Sequence, residues 1–247
     1  MPRFIDLSQE IFQGMKVYPG HLKTVIWEHH THEETVKNFE GGFSYQSRGL
    51  LMSDHGPTHV DALSHLDPRP EAPSIDKMSL DLFYGDATCI DVSNFEPRTY
   101  ITAADIDATI AKHGADVRKG DILLFYTGTY NKSYGTADYV NMYPGLDESA
   151  SMWIVEKGIK SFGVDSPSPD NPASRTYPCH MMCRKYGITH FENLCNLDQV
   201  VNKRFTFIGF PLRIRNGTGS PVRAVALMGD LLITPKEVHW RSGPLSG

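Results

Sequence analysis

The stretch Asp54-His55-Gly56-Pro57-Thr58-His59-Val60-Asp61-Ala62-Leu63-Ser64-His65 carries three histidines and an aspartate between positions 55 and 65. Imidazoles and carboxylates at such spacing are ligands for divalent transition metals. On a helix, His55 and His59 would share a face. Gly56 and Pro57 oppose that helix, because proline removes a backbone donor and pushes the residue before it towards extended geometry. On a strand, alternate side chains share a face, so His59 and Asp61 point together and His55 reaches them from the preceding turn. Two imidazoles and a carboxylate that converge leave further coordination positions open to water, as catalytic metal sites do. A loop histidine is commonly a solvated surface group, and a single His-x3-His pair would say little. The whole pattern, His-x3-His-x-Asp-x3-His on a turn and strand, favours metal binding.

The chain has 11 histidines, but they do not all read alike. His29-His30-Thr31-His32 lies among Glu28, Glu33 and Glu34 and reads as a solvated polar face. Four cysteines, Cys89, Cys179, Cys183 and Cys195, are too few and too scattered for a disulfide framework, and they lack paired C-x2-C spacing, so they read as buried thiols. The same spacing argues against a thiol-redox protein. With 24 basic against 29 acidic residues and no basic block, a nucleic-acid partner is not expected. No apolar run is long enough to cross a membrane, and Met1 to Ser8 show no basic segment leading into an apolar one, so no membrane partner and a cytoplasmic location are expected.

These residues need a scaffold, and the pattern of the chain describes one. Apolar runs predict strands over Ala87–Val92, Asp121–Thr127, Ser161–Val164, Thr206–Phe210 and Val222–Leu227. Thr102-Ala103-Ala104-Asp105 is a capping box that opens a helix to about Lys112, with Gly114 to stop it. A second helix is expected over Asp147–Glu156, ending at Gly158. Strands alternating with helices place the chain in the α/β class. With no repeat, low-complexity tract or charged linker, a single domain over 1–247 is the simplest division. Pro- and Gly-rich stretches, Tyr18-Pro19-Gly20, Pro68–Pro73 and Pro167–Pro178, mark loops long enough to carry function.

The stretch from His55 to His65 resembles the His-x-Gly-Thr-His-x-Asp-x-Pro-x-His motif of the cyclase family of metal-dependent hydrolases, which includes kynurenine formamidases and isatin hydrolases. Further pieces resemble the family in the same order: Ile5-Asp6-Leu7, Tyr18-Pro19-Gly20, Gly120-Asp121 through Thr127-Gly128, and Gly163-Val164-Asp165-Ser166-Pro167-Ser168. His180, Glu192-Asn193-Leu194, Asn196-Leu197 and Gly219-Ser220-Pro221-Val222-Arg223-Ala224 continue the match. Two departures stand out: Gly56-Pro57 where the family commonly has Thr-Gly, and Leu63 where it commonly has proline. The chain also has extra length around Pro68–Asp81 and Asn131–Pro144, which could form a different pocket wall or lid.

The resemblance implies a mixed sheet flanked by helices, of the swivelling β/β/α type, and association at least as a dimer, with the N-terminal segment reaching a neighbour's pocket. It implies metal ligands at His55, His59 and Asp61, joined by His180 and Glu192, with Asp61 and Glu192 bridging where two ions bind. A short helix ending before Gly187 and a strand from Ile188 would fold His180 and Glu192 back together, whereas His190 reads as a structural or supporting residue. The implied cofactor is one or two divalent ions, Zn or Mn. Such an ion lowers the pKa of water from about 15.7 towards roughly 7 and polarises a carbonyl under attack. The implied reaction is hydrolysis of a C–N bond, in an amide, formamide or cyclic lactam, of a small aromatic molecule. His65 is the candidate proton shuttle, a hydrogen-bonding role being the alternative, and Glu192 could serve as general base with one ion bound. Tyr18, Phe43 and Tyr45 are candidate pocket aromatics. A lactone hydrolase with the same site, or a binding member of the fold without catalysis, stays open.

Overall fold

The run Ile122–Tyr126 is apolar throughout, and such a strand has to be covered on both faces. In the computed structural model, which describes residues 3–229, Ile122 and Leu124 face one hydrophobic core while Leu123 and Phe125 face another. Residues 1–2 and 230–247 of the domain expected over 1–247 lie outside the described residues.

Thirteen strands are formed among the described residues: β1 Arg3–Asp6, β2 Val25–His30, β3 Ser47–Leu51, β4 His59–Asp61, β5 Tyr84–Asp91, β6 Tyr100–Ile101, β7 Ile122–Tyr126, β8 Gly145–Leu146, β9 Ser161–Val164, β10 Thr189–Glu192, β11 Arg204–Ile208, β12 Gly219–Pro221 and β13 Val225–Met228. The α-helices are α1 His32–Thr35, α2 Leu63–Leu66, α3 Ala103–His113, α4 Thr129–Ser133, α5 Glu148–Glu156 and α6 Pro178–Tyr186. Nine strands make one mixed sheet in the order β1-β13-β11-β5-β7-β9-β10-β4-β12. Its centre, β5-β7-β9-β10, is parallel, and the strands outside that centre pair antiparallel. Ile106 of α3, Ala150, Trp153 and Ile154 of α5, and Cys179, Met182 and Cys183 of α6 cover one face. The fold is α/β, a mixed sheet flanked by helices, as expected.

Local chemistry accounts for the elements. The Thr102 hydroxyl accepts from the Asp105 N–H and Asp105 accepts from the Thr102 N–H, while Gly114 closes α3 in the left-handed region at φ 68°. The expected strand Thr206–Phe210 begins and ends two residues earlier, since Arg204 bonds Asp121 at the sheet's end and Gly209 leaves the ladder. The expected strand Val222–Leu227 begins three residues later, as Val225–Met228 between β1 and β11, because Val222 makes only an isolated bridge to Pro211; Gly219–Pro221, just before it, pairs with β4 as a separate strand. Among the described residues no helix is long and apolar enough to cross a membrane.

Candidate metal centre

On β4 the period-two rule turns Val60 into the core and His59 and Asp61 to the other face. On β10 it does the same with Phe191 against His190 and Glu192. The two strands pair antiparallel with Glu192 opposite His59 and Phe191 opposite Val60, so the four polar side chains meet on one face. His59 Nε2 lies 3.4 Å from Asp61 Oδ1 and 3.5 Å from Glu192 Oε2. His55 arrives from the turn before β4 and places Nδ1 2.8 Å from Asp61 Oδ1. From α6, His180 brings Nε2 to 3.9 Å from Asp61 Oδ2 and 3.8 Å from Glu192 Oε1.

All five residues expected to bind metal are therefore together. One group of donor atoms comprises His55, His59 and Asp61, another Asp61, His180, His190 and Glu192, with the atoms of each group within 4.8 Å of one another. Ligands about 2.1 Å from a tetrahedral ion stand about 3.4 Å apart, so the separations suit neighbours around shared ions. A sharper test is His59. Its Nδ1–H donates to the Pro57 carbonyl at 2.9 Å, which leaves Nε2 as a bare lone pair. That nitrogen is buried, has no hydrogen-bond partner and is flanked by two carboxylates. A divalent ion satisfies it, and the donor set fits one.

The charge balance agrees. Burial opposes ionisation of Asp61, but the neighbouring rings of His190, His55 and His59 hold its carboxyl well below the usual range. Burial likewise disfavours a charged His59 and is outweighed by Asp61 and Glu192, which raise it. For His180 the same contest, won by the Asp170 hydrogen bond, lifts the ring to about 9. The site favours positive charge at the ring nitrogens that face the carboxylates, which is what a bound cation supplies.

Two residues of the centre escaped the sequence reading. His190, read as structural or supporting, lies in the centre itself, fully buried with Nε2 3.1 Å from Glu192 Oε1 and 3.5 Å from Asp61 Oδ2. Its position two residues before Glu192 on a strand was a legible signal. Asp170 takes the Nδ1–H of His180 at 2.5 Å and the backbone N–H groups of Cys179 and His180 at 2.8 and 3.2 Å. It thus caps α6 and fixes the His180 tautomer at once. No spacing rule links it to His180.

A cavity of about 200 Å³ opens over the centre, lined by Tyr18, His21, His65, Tyr177 and Ser168 together with His55, Asp61, His180 and Glu192. His65, on α2, stands 3.8 Å from Asp61 Oδ2, with its ring 4.0 Å from that of His55. Of the three aromatics expected at the pocket only Tyr18 lines it. Phe43 and Tyr45 instead pack with Phe39 in the connection between β2 and β3, which pair as a two-stranded sheet of their own. Neither longer segment lines this cavity, but Tyr139 and Val140 of the second line a small pocket that shares Tyr18, His55 and Pro167 with it, and Tyr139 donates to Asn193 Oδ1 at 2.9 Å; the Pro73 carbonyl of the first accepts the Ser64 N–H beside α2.

The family model named Cyclase matches residues 5–171. The chain belongs to the cyclase family. Among its relatives, the kynurenine formamidase of Bacillus mycoides (strain KBAB4) is 29% identical over 229 residues, covering 90% of this chain and 96% of the relative. The kynurenine formamidase of Geobacillus thermodenitrificans (strain NG80-2) is also 29% identical, over 224 residues, with 91% and 97% covered. Isatin hydrolase A from Labrenzia aggregata, solved with benzyl benzoate, superposes with a TM-score of 0.80 at 25% identity, covering 92% of this chain and 93% of that one. This cyclase-family chain is an enzyme of the hydrolase kind.

Proposed function

We propose that the protein is a metal-dependent hydrolase that cleaves a C–N bond, in a formamide, another amide or a cyclic lactam, of a small aromatic molecule. The observation that carries this reading is the buried, partnerless Nε2 of His59 between two carboxylates, Asp61 and Glu192, that themselves line a cavity. His55, His59, Asp61, His180 and Glu192 would hold one or two divalent ions, Zn or Mn. An ion there supplies a Lewis acid and water that ionises near neutral pH.

The chain's own groups supply the rest. His65 stands at the cavity, where burial and the neighbouring His55 and His180 hold its ring below the ordinary imidazole value despite Asp61. It is therefore neutral at pH 7, and can take a proton from the attacking water and pass it to the departing nitrogen. Tyr18, Tyr177 and Pro167 offer flat and apolar surface for an aromatic ring. The names of the relatives, formamidase and isatin hydrolase, support an amide over a lactone.

A substrate panel of aryl formamides, fused lactams and lactones, run with Zn²⁺ and with Mn²⁺, tests the reading. Turnover of the amides with a bound ion is expected, and His59→Ala should lose both metal and turnover. Full activity in a metal-free protein overturns the mechanism, and turnover of lactones alone overturns the bond class.

The protein is further proposed to work as a homodimer or larger homo-oligomer. The β2-β3 ribbon is a two-stranded sheet that presents Val25, Trp27, Leu50 and Leu51 to solvent, and an isolated ribbon of this kind needs cover. Light scattering should give at least twice the chain mass of 27.7 kDa; the monomer mass at working concentration counts against the proposal.

A further inference from the structure

His55 faces the centre with a different nitrogen from its companions. His59 and His180 turn Nδ1 away, towards Pro57 and Asp170, and present Nε2. His55 presents Nδ1, and its Nε2 lies 3.0 Å from Thr218 Oγ1. Thr218 Oγ1 in turn lies 2.8 Å from Asp54 Oδ2, which also accepts the backbone N–H groups of Thr218 at 3.0 Å and Gly219 at 3.3 Å. A carboxylate held in that cradle only accepts, so the one hydroxyl proton of Thr218 goes to Asp54 and its lone pairs face the imidazole. The imidazole nitrogen opposite must carry hydrogen. Gly219 lets the start of β12 close on the ring: a Cβ there would stand 2.8 Å from His55 Cε1 and 3.0 Å from Nδ1.

We infer that Asp54 and Thr218 are positioning residues for the metal centre: they fix His55 in the tautomer that carries hydrogen on Nε2 and leaves Nδ1 bare for a divalent ion. The inference rests on the metal reading above. Without the hydroxyl, Nδ1 can keep its hydrogen and donate it to Asp61 Oδ1 at 2.8 Å, which removes His55 as a ligand. Asp54 and Thr218 lie 164 positions apart, so the pair also ties the metal-binding turn to the start of β12.

The test is titration of Zn²⁺ into the full-length, metal-free protein against a chromophoric chelator, for wild type, Thr218→Val, Thr218→Ser and Asp54→Asn. Thr218→Val should bind about 10- to 100-fold more weakly, Asp54→Asn should also lose affinity, and Thr218→Ser should stay close to wild type. In ¹H–¹⁵N spectra of the Zn²⁺-loaded protein, a His55 Nε2–H signal protected from exchange is expected in wild type and Thr218→Ser and not in Thr218→Val. Circular dichroism establishes folding, and if Thr218→Val does not fold, Asp54→Asn and Thr218→Ser decide. Wild-type affinity with a protected signal in Thr218→Val, wild-type affinity in Asp54→Asn, or a Thr218→Ser as weak as Thr218→Val overturns the inference. A wild-type protein that binds no Zn²⁺ removes the metal reading instead, so the two failures are distinct.

Discussion

Each of the three histidines proposed as ligands, His55, His59 and His180, has one ring nitrogen spoken for by the protein, and the partner differs from ring to ring. For His180 it is a buried carboxylate, the strongest of these acceptors, so Asp170→Asn tests what such a partner contributes. The variant should hold divalent ions about 10- to 100-fold more weakly, as measured by equilibrium dialysis, while keeping most of its helix content because an Asn oxygen still caps α6. Unchanged affinity would show that the His180 tautomer is set elsewhere. That the five side chains of His55, His59, Asp61, His180 and Glu192 come together was legible in the sequence: the first three follow from strand period and the Gly56-Pro57 break, the last two from family resemblance. Asp170 was not, because its bond to His180 is made by a Pro-rich loop folding back on α6, and no local period encodes such a return.

At the scale of elements, β7 and β9 meet in a buried polar knot. Asp165, just past β9, accepts the backbone N–H and the hydroxyl of Thr127 at 2.8 and 2.6 Å, and its second oxygen has no partner. Burial outweighs those bonds and lifts the carboxyl to about 6. The folded chain then keeps a proton between about pH 4 and 6 that the unfolded chain has already released. This group's stabilisation is accordingly full below about pH 4 and fades as pH rises through 6, by about 3 kcal/mol. Asp165→Asn should flatten that part of the stability–pH profile in urea unfolding; an unaltered slope would disprove the assignment. The central strands and helices α3 and α5 were readable because their patterns and caps agree with their packing. The ribbon β2-β3 and the late start of β13 at Val225 were not, since exposed apolar residues and half-covered ones give no clean period.

For the molecule as a whole, the candidate ligands come from the turn and strand at 55–61 and from the adjacent α6 and β10, so an ion would join two regions that the sequence keeps far apart. Binding to the folded chain stabilises it by about 2.7 kcal/mol at a free ion concentration 100 times Kd. For a chain of this size that raises Tm by about 5 to 10 °C. Differential scanning calorimetry with Zn²⁺ and with a chelator should show that gap, and coincident curves would mean that no ion bridges the segments.

Asp61 belongs to both donor groups, with Oδ1 towards His55 and His59 and Oδ2 towards His180 and His190. Two occupants of the centre could not be independent guests. Whatever the first does to the shared carboxylate, by neutralising it or by fixing its orientation, the second meets on arrival, and reciprocity makes the effect equal in either order. The metal content of the enzyme would then follow a cooperative or anticooperative isotherm instead of two superposed simple ones, and the curvature of that isotherm measures how strongly one side chain couples the two halves of the site.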